Sequence, residues 1–198
     1  MDGQLQRARQ SKQPVALAVL GTLAFSILFW IAFLRPSSAP DVPVITQAVA
    51  VLKGDSGASG TVTFVQTAPT ASVTITGELR GLDPKARRGF HIHTSGDLSS
   101  GCASAGVHFN PLRQTHGAPS APVRHVGDLG NIESDGQGVA RFTIEDKLVS
   151  LNGLLSVVGR AVVLHTGTDD LGEGNNEESL RTGNAGARAA CGVIGISG

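Results

Sequence analysis

Hydrophobic and polar positions obey two different rules along this chain. Residues 15–34 run for 20 positions without a charge. Beyond residue 45 no apolar period of 3.6 residues is sustained, and short runs alternate in polarity instead. Val49 and Val51 alternate with Ala48 and Ala50, and Thr61-Val-Thr-Phe-Val-Gln-Thr67 and Ser72-Val-Thr-Ile-Thr76 are β-branched with a two-residue period. That is the pattern of strands with one buried face. Similar runs occupy 89–93, 138–144, 159–165 and 190–194, most of them bounded by Gly, Pro or Asp. Many short strands separated by turn signals predict an all-β antiparallel sandwich or barrel. Two stretches, 94–124 and 166–189, carry no strand pattern. Loops of that length inside a compact domain are usually functional or stapled.

The apolar run changes the picture of the organisation. As a helix it is long enough for the roughly 30 Å hydrocarbon core of a bilayer. Arg7, Arg9 and Lys12 precede it, so the positive-inside bias predicts a single transmembrane signal anchor with an extracytoplasmic domain behind it. Two rival readings stay open, a cleaved signal peptide that releases a secreted domain and a buried soluble helix. Pro36, Pro40 and Pro43 then mark an extended linker. The predicted order is a short basic cytoplasmic segment (1–14), an anchor (15–34), a Pro-rich linker (35–45) and one β domain (46–198).

Charge and cysteine content narrow the classes further. The 16 Lys and Arg balance the 16 Asp and Glu, which excludes a polybasic nucleic-acid binder. Without residues 1–35 the remainder holds 12 basic against 15 acidic residues, a net of −3. Two cysteines exclude a disulfide-dense mini-protein or a four-cysteine zinc module and leave room for one bridge.

The candidate chemistry lies in the histidines. All six, His91, His93, His108, His116, His125 and His165, fall in the β domain. His91 and His93 sit two apart on a predicted strand, so their rings share a face, as ligands of copper or zinc would. His108, His116 and His125, with Asp128, all within 21 positions that read as loop, make a donor set suited to a closed tetrahedral zinc site. For any one of them, a solvated loop histidine is the plain alternative.

Gly89-Phe-His-Ile-His93, Gly101-Cys-Ala-Ser-Ala-Gly-Val-His-Phe-Asn-Pro-Leu112, His116-Gly117 and His125-Val-Gly-Asp-Leu-Gly-Asn131 together resemble the copper/zinc superoxide dismutases of eukaryotic type. The run from His165 through Asp169-Asp-Leu-Gly172, Asn176-Glu-Glu-Ser179, Thr182-Gly-Asn-Ala-Gly186 and Arg188 to Cys191-Gly-Val-Ile-Gly-Ile196 extends the likeness over residues 46–197. The resemblance implies a Greek-key β-barrel of about eight antiparallel strands. It implies dismutation of superoxide, with one copper and one zinc per subunit. His91, His93, His108 and His165 would be the copper ligands. His108, His116, His125 and Asp128 would be the zinc ligands, His108 bridging the two. Asp169 would link a copper histidine to a zinc histidine, and Cys102 and Cys191 would form the disulfide. Arg188 would guide the anion to copper, with Thr182, Arg181, Glu177 and Glu178 around the channel.

The likeness also implies a homodimer through Val49, Val51, Gly96, Gly159 and Ile196, and a copper-delivery chaperone as a further partner. A copper-binding or chaperone-like module without turnover is the alternative function. Such a module would lose a copper ligand or add a Cys-x-Cys pair, and this chain does neither. Two departures stand out. Arg88 takes a position where many relatives have histidine, and Gly167 stands where a lysine commonly helps guide the anion. Steering would then rest on Arg181 and Arg188, and the rate would depend less on salt than in a typical relative.

Overall fold

The computed structural model describes residues 13–34, 43–55 and 57–197. The chain divides into two units, Met1–Val42 and Pro43–Gly198. In the first, α1 spans Gln13–Phe29 and passes into a π-helical segment, Trp30–Leu34. In the π-helical segment the backbone bonds run to the fifth residue, so the regular α-helical ladder ends at Phe29. The expected 20-residue transmembrane helix over 15–34 is therefore not found as one element. Among the described residues, no helix is long and apolar enough to cross a membrane. The basic residues expected to orient an anchor, and the linker up to residue 42, lie outside the described residues.

The second unit is all-β. Its strands are β1 (Gln47–Lys53), β2 (Ser59–Val65), β3 (Val73–Arg80), β4 (Arg87–His93), β5 (Ser99–Cys102), β6 (Asp128–Glu133), β7 (Ala140–Asp146), β8 (Ala161–His165), β9 (Arg188–Val193) and β10 (Gly195–Ile196). Eight run in the order β6-β4-β8-β9-β1-β2-β3-β7, each pair antiparallel, and β10 pairs with β1. The outermost strands of that order, β6 and β7, meet at the bridge Ser134↔Ala140, which nearly closes the sheet into a barrel. Closure removes the exposed edges that an open sheet would present.

Alternation sets the core. Ala48, Ala50 and Leu52 of β1 are buried while Val51 is 58% exposed. Phe64, Ile75, Phe90 and Ile92 fill the interior with no exposed surface. Each such side chain contributes about 1.5–3 kcal/mol relative to exposure.

Two expectations need correction. Asp128 does not lie in a loop, since it opens β6. The two patternless stretches are also not wholly irregular. The first contains β5 and the 3-10 turn Ala103–Ala105, and the second contains the short helix α2, Ser179–Thr182.

Candidate metal centre

Strand β4 is buried on both faces, and that places the first two histidines. Phe90 and Ile92 point into the barrel core. His91 and His93 therefore project from the outer wall, where the long loops cover them until both are buried. The neighbouring strand repeats the logic. In β8, Val162 and Leu164 join the core, so His165 stands on the same outer face as His91 and His93. His108 comes from the loop that pairs back on β4 through the bridge His93↔His108. Asp128 opens β6 directly across from His91. His116 reaches the site because its backbone N–H donates to Leu180 O at 2.8 Å, tying one long loop to the other.

The rings converge on two centres. The donor atoms of His91, His93, His108 and His165 lie within 4.8 Å of one another, as do those of His108, His116, His125 and Asp128. His93 Nε2 and His165 Nε2 are 3.2 Å apart. His108 Nδ1 and His125 Nδ1 stand 2.9 and 3.0 Å from Asp128 Oδ1. His116 Nδ1 is 3.0 Å from the same oxygen without hydrogen-bond alignment. Among the described residues, three buried side-chain nitrogens lack any hydrogen-bond partner: His91 Nδ1, His108 Nε2 and His116 Nδ1. Orphaned buried donors or acceptors are costly, and a bound cation is the chemistry that satisfies a neutral imidazole nitrogen.

Asp169 joins the two groups. Its Oδ2 lies 2.8 Å from His91 Nε2 and its Oδ1 2.8 Å from His116 Nε2. Carboxylates in that position fix ring orientation and leave the opposite nitrogen free to bind metal. The backbone of Asp169 is itself clamped by Asn131, which donates to its carbonyl at 2.9 Å and accepts from its N–H at 2.8 Å. Gly183 closes over this carboxylate. A Cβ there would stand 2.0 Å from Asp169 Oδ1, and its φ of +68° is left-handed, so glycine is required on both counts.

Electrostatics distinguish the two centres. Burial pushes the imidazoles of His91, His93 and His165 down to about 3, 2 and 4, so all three are neutral donors at pH 7. Burial also lowers His108. At His116 burial is outweighed by two close carboxylates, Asp128 beside Nδ1 and Asp169 hydrogen-bonded to Nε2, which hold the ring up to about 9. Asp128 and Asp169 stay ionised far below the usual carboxylate range, because their histidine partners override burial.

A cavity of about 710 Å³ opens onto the first centre, lined among others by His93, His108, His165, Glu178, Arg181, Thr182 and Arg188. Arg188 is pinned there, donating to the carbonyls of Cys102 at 2.5 Å, Ala103 at 3.0 Å and Gly106 at 2.5 Å. Arg181 stands 3.4 Å from Glu178, which offsets part of its charge, and Thr182 Oγ1 donates to Glu178 at 2.7 Å. Glu177 is exposed and does not line the cavity. Cys102 and Cys191 form a disulfide that ties β5 to β9 across 89 positions. In the chain-entropy model a loop of that length contributes about 4–5 kcal/mol. Arg124, which bonds the carbonyl of Asp128, was missed by sequence reasoning.

The chain is similar to known proteins. The sequence profile of the copper/zinc superoxide dismutase family matches residues 58–194. The Cu-Zn superoxide dismutase of Neurospora crassa is 63% identical over 153 residues, covering 77% of this chain and 99% of that protein. Those of Candida glabrata and Saccharomyces cerevisiae are 61% and 58% identical over the same length and coverage.

Proposed function

This chain belongs to the copper/zinc superoxide dismutase family, and from that premise we propose how its residues divide the work. The reaction converts two superoxide radicals and two protons into dioxygen and hydrogen peroxide. Bound copper supplies the one-electron exchange with superoxide, and bound zinc supplies a fixed positive charge without redox chemistry.

The donors fit both ions. We assign copper to His91 Nδ1, His93 Nε2, His108 Nε2 and His165 Nε2, and zinc to His108 Nδ1, His116 Nδ1, His125 Nδ1 and Asp128 Oδ1. The observation that carries this assignment is the three orphaned nitrogens, two belonging to one group and one to the other. Asp169 orients His91 and His116 together. His108 Nε2, whenever it is released by copper, is the atom that would hold a proton in one half of the cycle and return it to the reduced product in the other. Arg188, held by three carbonyls at the mouth, attracts the anion locally although the domain is net negative. Thr182, Glu178 and Arg181 shape the approach, and Glu177 acts from outside the lining by repelling anions from unproductive routes.

The other assignments rest on surfaces and sequence. Residues 15–34 anchor the chain in a membrane with the β domain on the extracytoplasmic side; the uncharged run and the exposed apolar side chains from Val19 to Phe33 support this. N-terminal sequencing of the native chain distinguishes an anchor from a cleaved signal. Two β domains pair through the face that carries Val51 and Ile196, 58% and 65% exposed. Copper delivery by a chaperone protein fits the burial of the copper ligands.

The test is superoxide decay with the copper- and zinc-loaded chain, beside its His165→Ala variant. Rapid decay with the parent and loss of at least about a hundredfold in the variant support the assignment. Parent protein no faster than buffer, or an unimpaired variant, overturns it.

A further inference from the structure

One buried ion pair contains no histidine. Arg124 and Asp146 are 4% and 2% exposed, and Arg124 Nη2 donates to Asp146 Oδ2 at 2.6 Å. Among the described residues, no other Arg–carboxylate pair has both side chains buried. A pair of this kind recovers little net stability, because removing both charges from water costs about as much as their attraction returns. Its partners suggest a use beyond stability.

The guanidinium is forked between two strands. While Nη2 holds Asp146, the last residue of β7, Nη1 donates to the carbonyl of Asp128, the first residue of β6, at 2.7 Å. It also reaches the carbonyl of His125 at 3.5 Å. Asp146 is a rigid anchor, since its Oδ1 accepts from the backbone N–H groups of Leu148 and Val149 at 2.8 Å each. The side chain of Asp128 is set from the opposite direction, Oδ2 accepting from the N–H groups of His125 at 2.8 Å and Gly117 at 3.2 Å. Main chain and carboxylate of Asp128 are thus fixed separately, and only the main chain depends on Arg124. No bond from Arg124 reaches His91, His93 or His165.

We propose that Arg124, anchored on Asp146 across the seam of the barrel, is a positioning residue that holds His125 and Asp128 in register for zinc and makes no bond to His91, His93 or His165, the three histidines that serve copper alone. This rests on the assignment of zinc to His125 and Asp128. Lysine would keep the charge but lacks the planar fork needed to span both partners.

The test uses the full chain and two variants, Arg124→Lys and Asp146→Asn; the second keeps an oxygen for Leu148 and Val149 but removes the anchoring charge. Zinc affinity is measured by chelator competition, cobalt absorption reports the geometry of the zinc position, and copper affinity is measured in parallel. Both variants are expected to bind zinc roughly 10–100-fold more weakly, the loss typical when an orienting partner of a ligand is removed. The cobalt spectrum shifts, and copper affinity stays at the parental value. Parental zinc affinity and spectrum in both variants overturn the proposal, as does an equal loss of both metals. A parent chain that binds no cobalt at the tetrahedral position overturns the zinc assignment instead, so the two failures are distinguishable.

Discussion

The two groups of candidate metal ligands share His108 and are tied together by Asp169. On one side stand four imidazoles that burial keeps uncharged, of which His93, His108 and His165 open onto a cavity with Arg188 at its mouth. On the other, a carboxylate that its histidine partners hold ionised is surrounded by three rings, and of this group only the shared His108 and His125 reach the cavity. A donor set of imidazoles with no carboxylate would tolerate an ion whose own charge changes by one during turnover. A set that includes Asp128 compensates a dication whose charge stays fixed, and its tight hydrogen bonding resists rearrangement. The comparison separates a centre built for exchange from one built to hold still, with Asp169 as the strut between them.

The strut offers the strongest way to break that division. Asp169→Asn cannot accept from both rings with full charge, so affinity for both metals should fall by roughly 10–100-fold each. Metal titration against a chelator checks this, and loss at only one site would mean that the halves are not coupled through Asp169. This pattern is the opposite of the zinc-selective loss expected for Arg124→Lys.

A smaller effect concerns the open side. Replacing Arg188 with Gln should lower kcat/KM by about tenfold, the lower end of what electrostatic focusing supplies. It should also flatten the salt dependence, since screening then has less charge to act on. Stopped-flow rates across an ionic-strength series measure both.

The smallest effect is the pH dependence of the metal-free protein. His91, His93 and His165 have folded values below the ordinary 6.5, so the unfolded chain binds more protons below that pH and stability falls as the solution is acidified from 6.5 toward 3. His116 is raised to about 9, so its contribution is complete below 6.5 and is lost as pH rises through 9. Denaturant midpoints should therefore peak near pH 6.5, with the acid limb the steeper one. Zinc should remove the alkaline limb, because the metal takes the place of the proton on His116.

Much of this was legible in the sequence because the signals were local. The spacing of His91 and His93 on an alternating strand puts both rings on one face, and the structure has them there. An antiparallel sandwich or barrel followed from β-branched alternation in β1, β2 and β3, whereas β8, buried at every position, shows none. Strand β6 was hidden because Asp128 and Asn131 replace the apolar residues that would mark a strand; one faces the histidines and the other clamps Asp169. Arg124 gave no signal, since its anchor lies 22 positions away on another strand. Arg181 read as a free steering charge, yet Glu178 stands beside it, a pairing set by the turn of α2 rather than by composition. The apolar run was plain, but where its α-helical bonding gives way at Phe29 was not.

The central claim is that one ring, His108, is shared between a redox ion and a fixed one. Anomalous diffraction from crystals of the loaded protein, recorded at the copper and zinc absorption edges, tests it most directly. The account predicts one copper peak beside His108 Nε2 and one zinc peak beside His108 Nδ1. Either metal found away from that ring, or both edges giving the same single peak, would contradict it.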